Sequence, residues 1–397
     1  MTSSAVLSSR AGCALQVLFL VALTLVQVSH QEEDARTCGI EGTDPSGGAA
    51  SCSTGTDTTA TKVAPQRLLL LCTHSRVLWL DVDTRQEFTV HEGRGVYYGA
   101  FPGEPDPEVG ATIWVMSRPH NFRAKTSEEL LLNIAADGSG KIVRAVEVAS
   151  KFAHDAVRDQ SGSRVLVAST EDGKVIEMTY PAMVTTKVHQ MFGKKNHLNT
   201  ISPGRDNDTA WFLLHGKRDP STLVFGNLTT GTRVSTSAGL GKEAHGAVQM
   251  ESEAKTTGPE KFLVLSSGDS TLMEIALDGR GGGAEDAAMS SRKIWVQQPP
   301  EFLKGLCVIG QVAYLGSSSI MGRQGRQNAQ ASLVAVDLKT QKELWRHSVQ
   351  GKGLLNYVST PQLSWTSSYL RQSDEWLPQS AGFLDGAWIS KLKTVRV

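Results

Sequence analysis

The apolar positions of this chain fall into short runs that recur about every 50 residues. Between residues 300 and 351, four runs are bounded mostly by Gly, Ser, Asp or Lys-Thr: residues 306–309, 312–316, 333–338 and 343–349. Apolar runs of this length between turn-forming residues predict β-strands. Four up-and-down strands in about 50 residues are typical of one blade of a β-propeller.

Imperfect copies of this unit fill the chain from residue 65 to residue 363, and their first strands recur near residues 98, 155, 199, 246, 306 and 356. The unit at residues 67–91 has only three runs, while the run at 355–360 has no unit of its own. Together they complete a blade and close a ring without a free sheet edge. The sequence therefore predicts an all-β, six-bladed propeller. A seventh blade is the alternative if residues 364–397 form strands rather than a strap packed on the propeller.

An internal repeat supports this interpretation. Residues 78–88 (LWLDVDTRQEF) parallel residues 334–344 (VAVDLKTQKEL), with coincident apolar positions, Asp, Thr and Glu. The coincidence predicts the same strand, turn and strand in the first and last blades.

The N-terminus resembles a targeting segment. Arg10 precedes an apolar run at residues 11–28, and small and charged residues follow. Residues 1–30 are predicted to be a secretory signal peptide. An uncleaved single-pass anchor is the alternative, because about 18 apolar residues can just span a bilayer and Gln27 is a poor cleavage residue. Residues 31–64 are rich in Gly, Ser, Thr and Ala, which predicts a disordered linker. The chain is expected in the secretory lumen or outside the cell.

The expected location determines how the cysteines and the sequons are interpreted. Five cysteines are present, and Cys38 and Cys52 bracket a small loop that an oxidising lumen would close as a disulfide. Cys72 and Cys307 lie in predicted strands and form either a second pair or buried thiols, the commoner state there. Asn207 and Asn227 begin N-glycosylation sequons in or beside predicted turns.

The charge balance excludes one class of partner. Lys+Arg and Asp+Glu both number 40, so bulk charge does not favour nucleic acid or an anionic membrane. The membrane would be met only through an uncleaved N-terminal segment. The motifs GxSxG, GxxxxGK[ST] and HExxH are absent from the sequence.

Polar residues begin the inner strands, which line the channel of a propeller and open on one face. Three histidines recur there in consecutive units. The candidate ligand-binding residues are His154, Asp155, His197, Asn199, His245 and Asn356.

Two interpretations of these residues remain open. Asp155, Asn199 and Asn356 offer oxygen ligands for calcium, and the histidines could hold a transition metal or act as bases. Alternatively, the histidines are structural and bond backbone carbonyls of the neighbouring blade. No cofactor is expected unless calcium binds. An arginine-containing insert at residues 321–330 either covers the channel and touches an anionic ligand or is a solvated loop.

Residues 195–363 resemble a family of uncharacterised bacterial six-bladed propellers. The resemblance is carried by HLNTIS, by AHGAV followed by KFLVLSSGDSTLMEI, by PEFLKGLCVIGQVAYLGSSS and by ASLVAVDLKTQKELW. Lys304 stands where that family favours Arg, and Gly246-Ala247 where it favours Ser-Pro. The resemblance implies the fold and no established activity.

The expected function is non-catalytic binding of a glycan, peptide or protein partner on the channel face. The alternative is a metal-dependent hydrolase similar to the six-bladed calcium lactonases and esterases, and no motif decides between binding and catalysis. A third class is an accessory protein anchored in the lumen by an uncleaved N-terminal segment.

Overall fold

The computed structural model describes residues 67–104, 111–119, 126–135, 138–204, 206–216, 219–250, 260–278, 288–322, 325–351 and 353–360. The predicted signal or anchor, the linker, the Cys38–Cys52 disulfide and the C-terminal strap lie outside these residues and stay predictions. Within them, 24 strands form six four-stranded antiparallel sheets arranged as a propeller. The predicted fold class is confirmed.

The first three blades contain these strands in chain order: β1 Leu68–Thr73, β2 Arg76–Asp81, β3 Glu87–Glu92, β4 Val96–Pro102, β5 Thr112–Arg118, β6 Ser127–Ile134, β7 Gly140–Val148, β8 Ala153–Arg158, β9 Arg164–Ser169, β10 Lys174–Thr179 and β11 Thr185–His189. The remaining strands are β12 Leu198–Pro203, β13 Thr209–Leu214, β14 Thr222–Asn227, β15 Thr232–Ala238, β16 Ala244–Met250, β17 Glu260–Ser266, β18 Thr271–Asp278, β19 Ala288–Val296, β20 Phe302–Ile309, β21 Val312–Ser318, β22 Ala331–Asp337, β23 Lys342–Ser348 and β24 Leu355–Ser359.

The ring closes as predicted, by joining the two ends of the propeller. Blade 1 has the strand order β24-β1-β2-β3, so its innermost strand comes from the end of the chain. Leu71 of β1 lies opposite Val358 of β24 in an antiparallel ladder. The inner strands β24, β4, β8, β12, β16 and β20 then pack side by side around the channel.

Six hydrophobic layers hold the blades together, one between each neighbouring pair. The second strands of the blades are covered on both faces, which is why they are nearly continuous apolar runs such as TIWVMSR in β5. Outer strands such as β23 are largely exposed and mainly polar. Burying one Leu or Phe in such a layer contributes roughly 1.5–3 kcal/mol.

The internal repeat forms the same turn twice. The side chain of Asp81 accepts the amide of Thr84, and that of Asp337 accepts the amide of Thr340. The next residues, Arg85 and Gln341, both have positive φ, 62° and 59°. The shared Asp and Thr therefore mark equivalent hairpins in blades 1 and 6.

The first strand of blade 6 is longer than the apolar run from which it was predicted. β20 begins at Phe302 rather than at residue 306, and the pairing with β21 shifts between Lys304 and Leu306. Gly305 lies in this bulge with φ +76°, a backbone conformation that favours glycine. A Cβ at this position would also lie 3.2 Å from the backbone of Tyr357, which disfavours a larger residue.

The two strand cysteines are free thiols. Cys72 and Cys307 are buried and unbonded to each other, and burial raises the pKa of both thiols far above the usual range. The helical segments of the described residues are two single-turn 3-10 helices, Ser267–Asp269 and Arg326–Asn328. None of them has the length and apolarity to cross a membrane.

Candidate functional site

Every inner strand carries a β-bulge near its start. Four of the predicted residues occupy these bulges: His154 in β8, Asn199 in β12, His245 in β16 and Asn356 in β24. A bulge interrupts the ladder and re-aims the side chain. In a ring of six blades, equivalent bulges bring side chains from distant parts of the sequence to one place.

These bulges line a cavity of about 160 Å³ in the channel, bounded by the inner strands of five blades. Five of the six predicted ligand-binding residues contribute to its wall: His154, Asp155, Asn199, His245 and Asn356. All five are at least half-buried. The structure therefore brings together residues that are up to 202 positions apart, from His154 to Asn356.

His197 is placed differently from His154 and His245. It lies two residues before the bulge of β12, at the position that Phe152 and Glu243 occupy in the neighbouring blades. All three have left-handed backbones, with φ of 52°, 60° and 51°. The three histidines that recur at the starts of consecutive units therefore do not occupy equivalent places. Asn199 is the residue of β12 that is equivalent to His154 and His245, because it occupies the bulge. His197 lies in the turn two residues earlier.

A belt of aromatic rings surrounds the channel mouth. Neighbouring ring centroids along it are 5.0, 5.4, 4.8, 4.8 and 5.1 Å apart. The belt consists of Tyr98, His154, His197, His215, His245 and Phe302. Burial, followed by the charge of a nearby lysine, lowers the pKa of His154 and His245 well below the usual value. These two rings are neutral at pH 7.

The tautomer of His154 follows from its hydrogen bonds. Its Nδ1 lies 2.7 Å from Asn199 Oδ1, while Asn199 Nδ2 donates to the Ala244 carbonyl at 3.0 Å. Since the amide oxygen can only accept, His154 carries the proton on Nδ1. Its Nε2 is an acceptor.

Two asparagines tie neighbouring blades together at this level. Asn199 donates to the carbonyl of Ala244 in blade 5, and Asn356 donates to the carbonyl of Tyr97 in blade 2 at 3.0 Å. His245 instead has its Nδ1 2.8 Å from the carbonyl of Glu243 in its own blade. The contact to a neighbouring blade's carbonyl, predicted for the histidines, is thus made by asparagines.

Asp155 is the acidic residue of the cavity wall and is 5% exposed. Its Oδ2 accepts the amide of Ile201 at 3.1 Å. Burial raises the pKa of Asp155 to about 7, although hydrogen bonds from the amides of Ile201 and Ala156 oppose that change. The carboxyl is therefore partly protonated near neutral pH.

The three predicted calcium ligands line the same cavity but differ in their free oxygens. Asn199 Oδ1 already binds His154, and Asp155 Oδ2 binds the backbone. Asn356 Oδ1 is buried and has no hydrogen-bond partner in the part of the chain that the structure describes. Among the described residues, no three His, Cys, Asp or Glu side chains are grouped to hold a metal ion.

Three cationic side chains lie at the mouth in addition to the six predicted ligand-binding residues. Lys304 Nζ lies 4.7 Å from the centre of the Tyr98 ring, and the Arg118 guanidinium lies 5.2 Å from the same centre. Arg326, from the predicted insert, lies 5.1 Å from the Phe302 ring. Lys304 was detectable as the polar start of β20, whereas Arg118 ends a second strand and reaches the mouth only in the folded ring.

The two sequons lie at the other end of the channel. β12 runs away from the mouth, so Asn207, in the turn after it, lies on the opposite face; Asn227 ends β14 on that face as well. Thr229 of the second sequon donates to Asp208 of the first at 2.7 Å. Glycans at these positions would leave the mouth open.

Comparisons with known proteins concern the fold. No protein-family model and no curated protein matches this sequence. Matching solved structures include the nidogen/laminin complex (10% identity, 75% of this chain, 98% of that chain, TM-score 0.49). A protein of unknown function from Bacteroides caccae matches at 12% identity over 75% of this chain and 100% of that chain, with a TM-score of 0.48.

A protein from Lactobacillus plantarum matches at 12% identity over 74% of this chain and 98% of its own length, again with a TM-score of 0.48. The six-bladed fold that the predicted resemblance implies is confirmed by the six four-stranded sheets of this structure itself. No function passes from these structures to this chain.

Proposed function

We propose that this protein is a secreted or lumenal binding module that takes part of a glycan, peptide or protein partner into its channel mouth. The observation that carries the proposal is the set of equivalent bulges. Four blades each aim one polar side chain, His154, Asn199, His245 or Asn356, at one cavity. A concave, partly apolar wall with a small number of convergent polar groups is typical of ligand sites.

Secretion is part of the proposal and rests on the sequence. The apolar segment at residues 11–28 supports entry into the secretory pathway, and both sequons occupy turns away from the mouth. The bound ligand would then be an extracellular or lumenal molecule.

The alternative, a metal-dependent hydrolase with calcium on Asp155, Asn199 and Asn356, has weaker support. Asn199 Oδ1 already accepts a hydrogen bond from His154, so a cation there would compete with that bond. It would also share the cavity with the ammonium of Lys304, which repels it. Addition of calcium serves as one arm of the test below.

The experiment measures thermal shifts of the purified full chain with a panel of glycans, peptides and calcium. Each shift is taken relative to the unliganded melting temperature of the same variant, so that loss of stability does not mimic loss of binding. We expect His154→Ala, Asn199→Ala and His245→Ala each to reduce a ligand-induced shift seen with the wild type by at least half.

His91→Ala, on the outer strand β3, is the matched control and should keep the full shift. The unliganded His245→Ala protein should lose about 1 kcal/mol, because the carbonyl of Glu243 loses its donor. Absence of any shift across the panel, or equal shifts in all variants, would overturn the proposed function. A shift with calcium alone would favour the hydrolase.

A further inference from the structure

A buried lysine without an anionic partner lies in the wall of the cavity. Lys304 is 8% exposed. Its ammonium makes a cation–π contact with Tyr98 at 4.7 Å, and within the described residues it forms no hydrogen bond or ion pair. Buried ammonium groups are normally paired, because removing an unpaired charge from water is costly.

The other charges around Lys304 increase this cost. Burial and the positive charges of Arg326 and Arg118 lower the pKa of Lys304 well below its usual value. The same three side chains lower the pKa of His74, after burial, to about 3. The mouth is therefore a region of concentrated positive potential in a chain whose formal net charge is zero.

Asp155 does not neutralise this region. It is the acidic residue in the cavity wall, and its carboxyl bonds to the amide of Ile201 in blade 4. Burial raises its pKa to about 7, so much of it carries no charge at neutral pH. The ammonium of Lys304 has room for an anion that the residues described by the structure do not supply.

A second polar atom in the wall also lacks a partner. Asn356 Nδ2 donates to the carbonyl of Tyr97, which fixes the orientation of the amide. Its Oδ1 is left as a buried acceptor with no donor in the described part of the chain. A hydroxyl group is a donor suited to that oxygen. The wall thus offers one cationic and one acceptor group.

The size of the cavity limits what enters. A volume of about 160 Å³ is well below the roughly 300–1,000 Å³ of pockets that enclose drug-sized ligands. The cavity holds a few heavy atoms, such as one acidic group and the hydroxylated carbons beside it. The rings of His154 and His245 form flat parts of the wall around them.

We propose that the channel mouth binds a small hydroxycarboxylate anion, with the carboxylate on Lys304 and a hydroxyl group on Asn356. The anion pairs the ammonium, favours its protonated form and satisfies both orphaned groups at once. Arg118 and Arg326 attract the anion from solvent without needing to touch it. This inference rests on the proposed binding function and names the chemical class of its ligand.

The test uses glucuronate as the probe, measured by calorimetry on the full chain. Acetate supplies only the carboxylate and glucose only the hydroxyl groups. We expect glucuronate to bind at least tenfold more tightly than either compound. Binding of glucose as tight as that of glucuronate would overturn the inference, and this comparison needs no variant.

Lys304→Met removes the charge while keeping a similar length, and Lys304→Gln is a second uncharged variant. Each should weaken glucuronate binding at least tenfold and leave the weak binding of glucose unchanged. Lys342→Met, on the exposed strand β23, removes the same charge outside the channel and should bind within twofold of the wild type. Wild-type affinity in the Lys304 variants would overturn the inference.

Failures of the inference and of the proposed function are distinguishable. Neutral sugars or peptides that bind through the channel while glucuronate does not would leave the function standing and exclude the anion. If no compound in either panel binds, both fail. A longer chain ending in a uronate that binds at least tenfold more tightly than glucuronate would identify a glycan end as the source of the carboxylate.

Discussion

Glu87 and Lys304 are buried charged residues in neighbouring blades, yet their surroundings differ completely. Glu87 lies on β3, the outer strand of blade 1, and its side chain is 1% exposed. It accepts His347 Nε2 from blade 6 at 2.7 Å and the amide of Gln350 at 2.9 Å. Lys304, on the inner strand of blade 6, has an aromatic ring beside it and no anion among the residues that the structure describes.

A second buried acid outside the channel follows the pattern of Glu87. Glu177 of β10 binds His189 at 2.7 Å and Arg164 at 3.4 Å. Burial raises the pKa of Glu177, but the hydrogen bond from His189 and the charge of Arg164 outweigh it and lower the pKa below its usual value. Glu87 and Glu177 are thus paired within the fold, whereas Lys304 has no ion-pair partner among the described residues.

The difference separates structural polar groups from candidate binding groups. A buried charge that the fold pairs contributes to holding strands or blades in register. A buried charge left unpaired in a cavity lowers the stability of the fold. Such a charge is expected at a functional site, where a bound ligand can pair with it. The channel mouth is therefore where we place ligand binding, and the blade edges where we place stability.

The largest expected effect concerns the ring that creates both regions. A chain that ends at Leu354 lacks β24, so the inner edge of β1 is left unpaired. We expect aggregation and loss of the cooperative unfolding transition, because an open propeller exposes a long apolar sheet edge. A chain that ends at Thr360 keeps β24 and is the control. A soluble, cooperatively folding protein ending at Leu354 would show that closure has another basis.

The next effect is a pH dependence of stability that arises at Asp155, in the channel. Unfolded Asp155 ionises near pH 4, whereas burial raises the pKa of the folded group to about 7. The folded state therefore keeps a proton that the unfolded state loses, and the stabilising effect of that proton disappears as pH rises from about 4 to above 7. A pKa change of this size amounts to an effect on the order of 4 kcal/mol.

Urea unfolding of the wild type and Asp155→Asn at pH 4.5 and pH 8 measures this effect, with pH values chosen to span roughly that interval. The variant should gain stability relative to the wild type as pH rises. Other titrating groups are shared by both proteins and cancel in the difference. A difference that does not change with pH would show that Asp155 is solvated in the folded state.

The smallest of the three effects tests the paired edge. Glu87→Ala leaves His347 and the amide of Gln350 without their acceptor, and we expect a loss of about 3 kcal/mol in the free energy of unfolding. Glu92→Ala, on the same strand, breaks an exposed ion pair with Arg76 and should cost less than about 1 kcal/mol. Equal losses in the two variants, measured by urea unfolding, would remove the distinction between edge and surface.

Much of the propeller was predictable because its strands have local signatures. The second strand of each blade is a mainly apolar run, and hairpins such as that of Asp337 and Thr340 have recognisable turn residues. The missing strand of the first unit and the spare strand at 355–360 even predicted how the ring closes.

The site was predictable only in part. The polar starts of the inner strands were visible, and five of the six predicted residues share one cavity. The offset of His197 was not visible, because a β-bulge shifts the register by an amount that depends on the partner strand. His215 and Arg118 were missed because they follow or end second strands, which the sequence marks as core.

The sequence by itself determined the strands, the blade repeat and the way the ring closes, since these depend on apolar periodicity and turn residues close together in the chain. Only the tertiary structure decided which polar groups meet and which stay unpaired. Burial and pairing depend on residues far apart in sequence, as Lys304 with Tyr98 and Glu87 with His347 show. A lysine in a strand pattern looks the same whether the folded ring places an anion or an aromatic ring beside it.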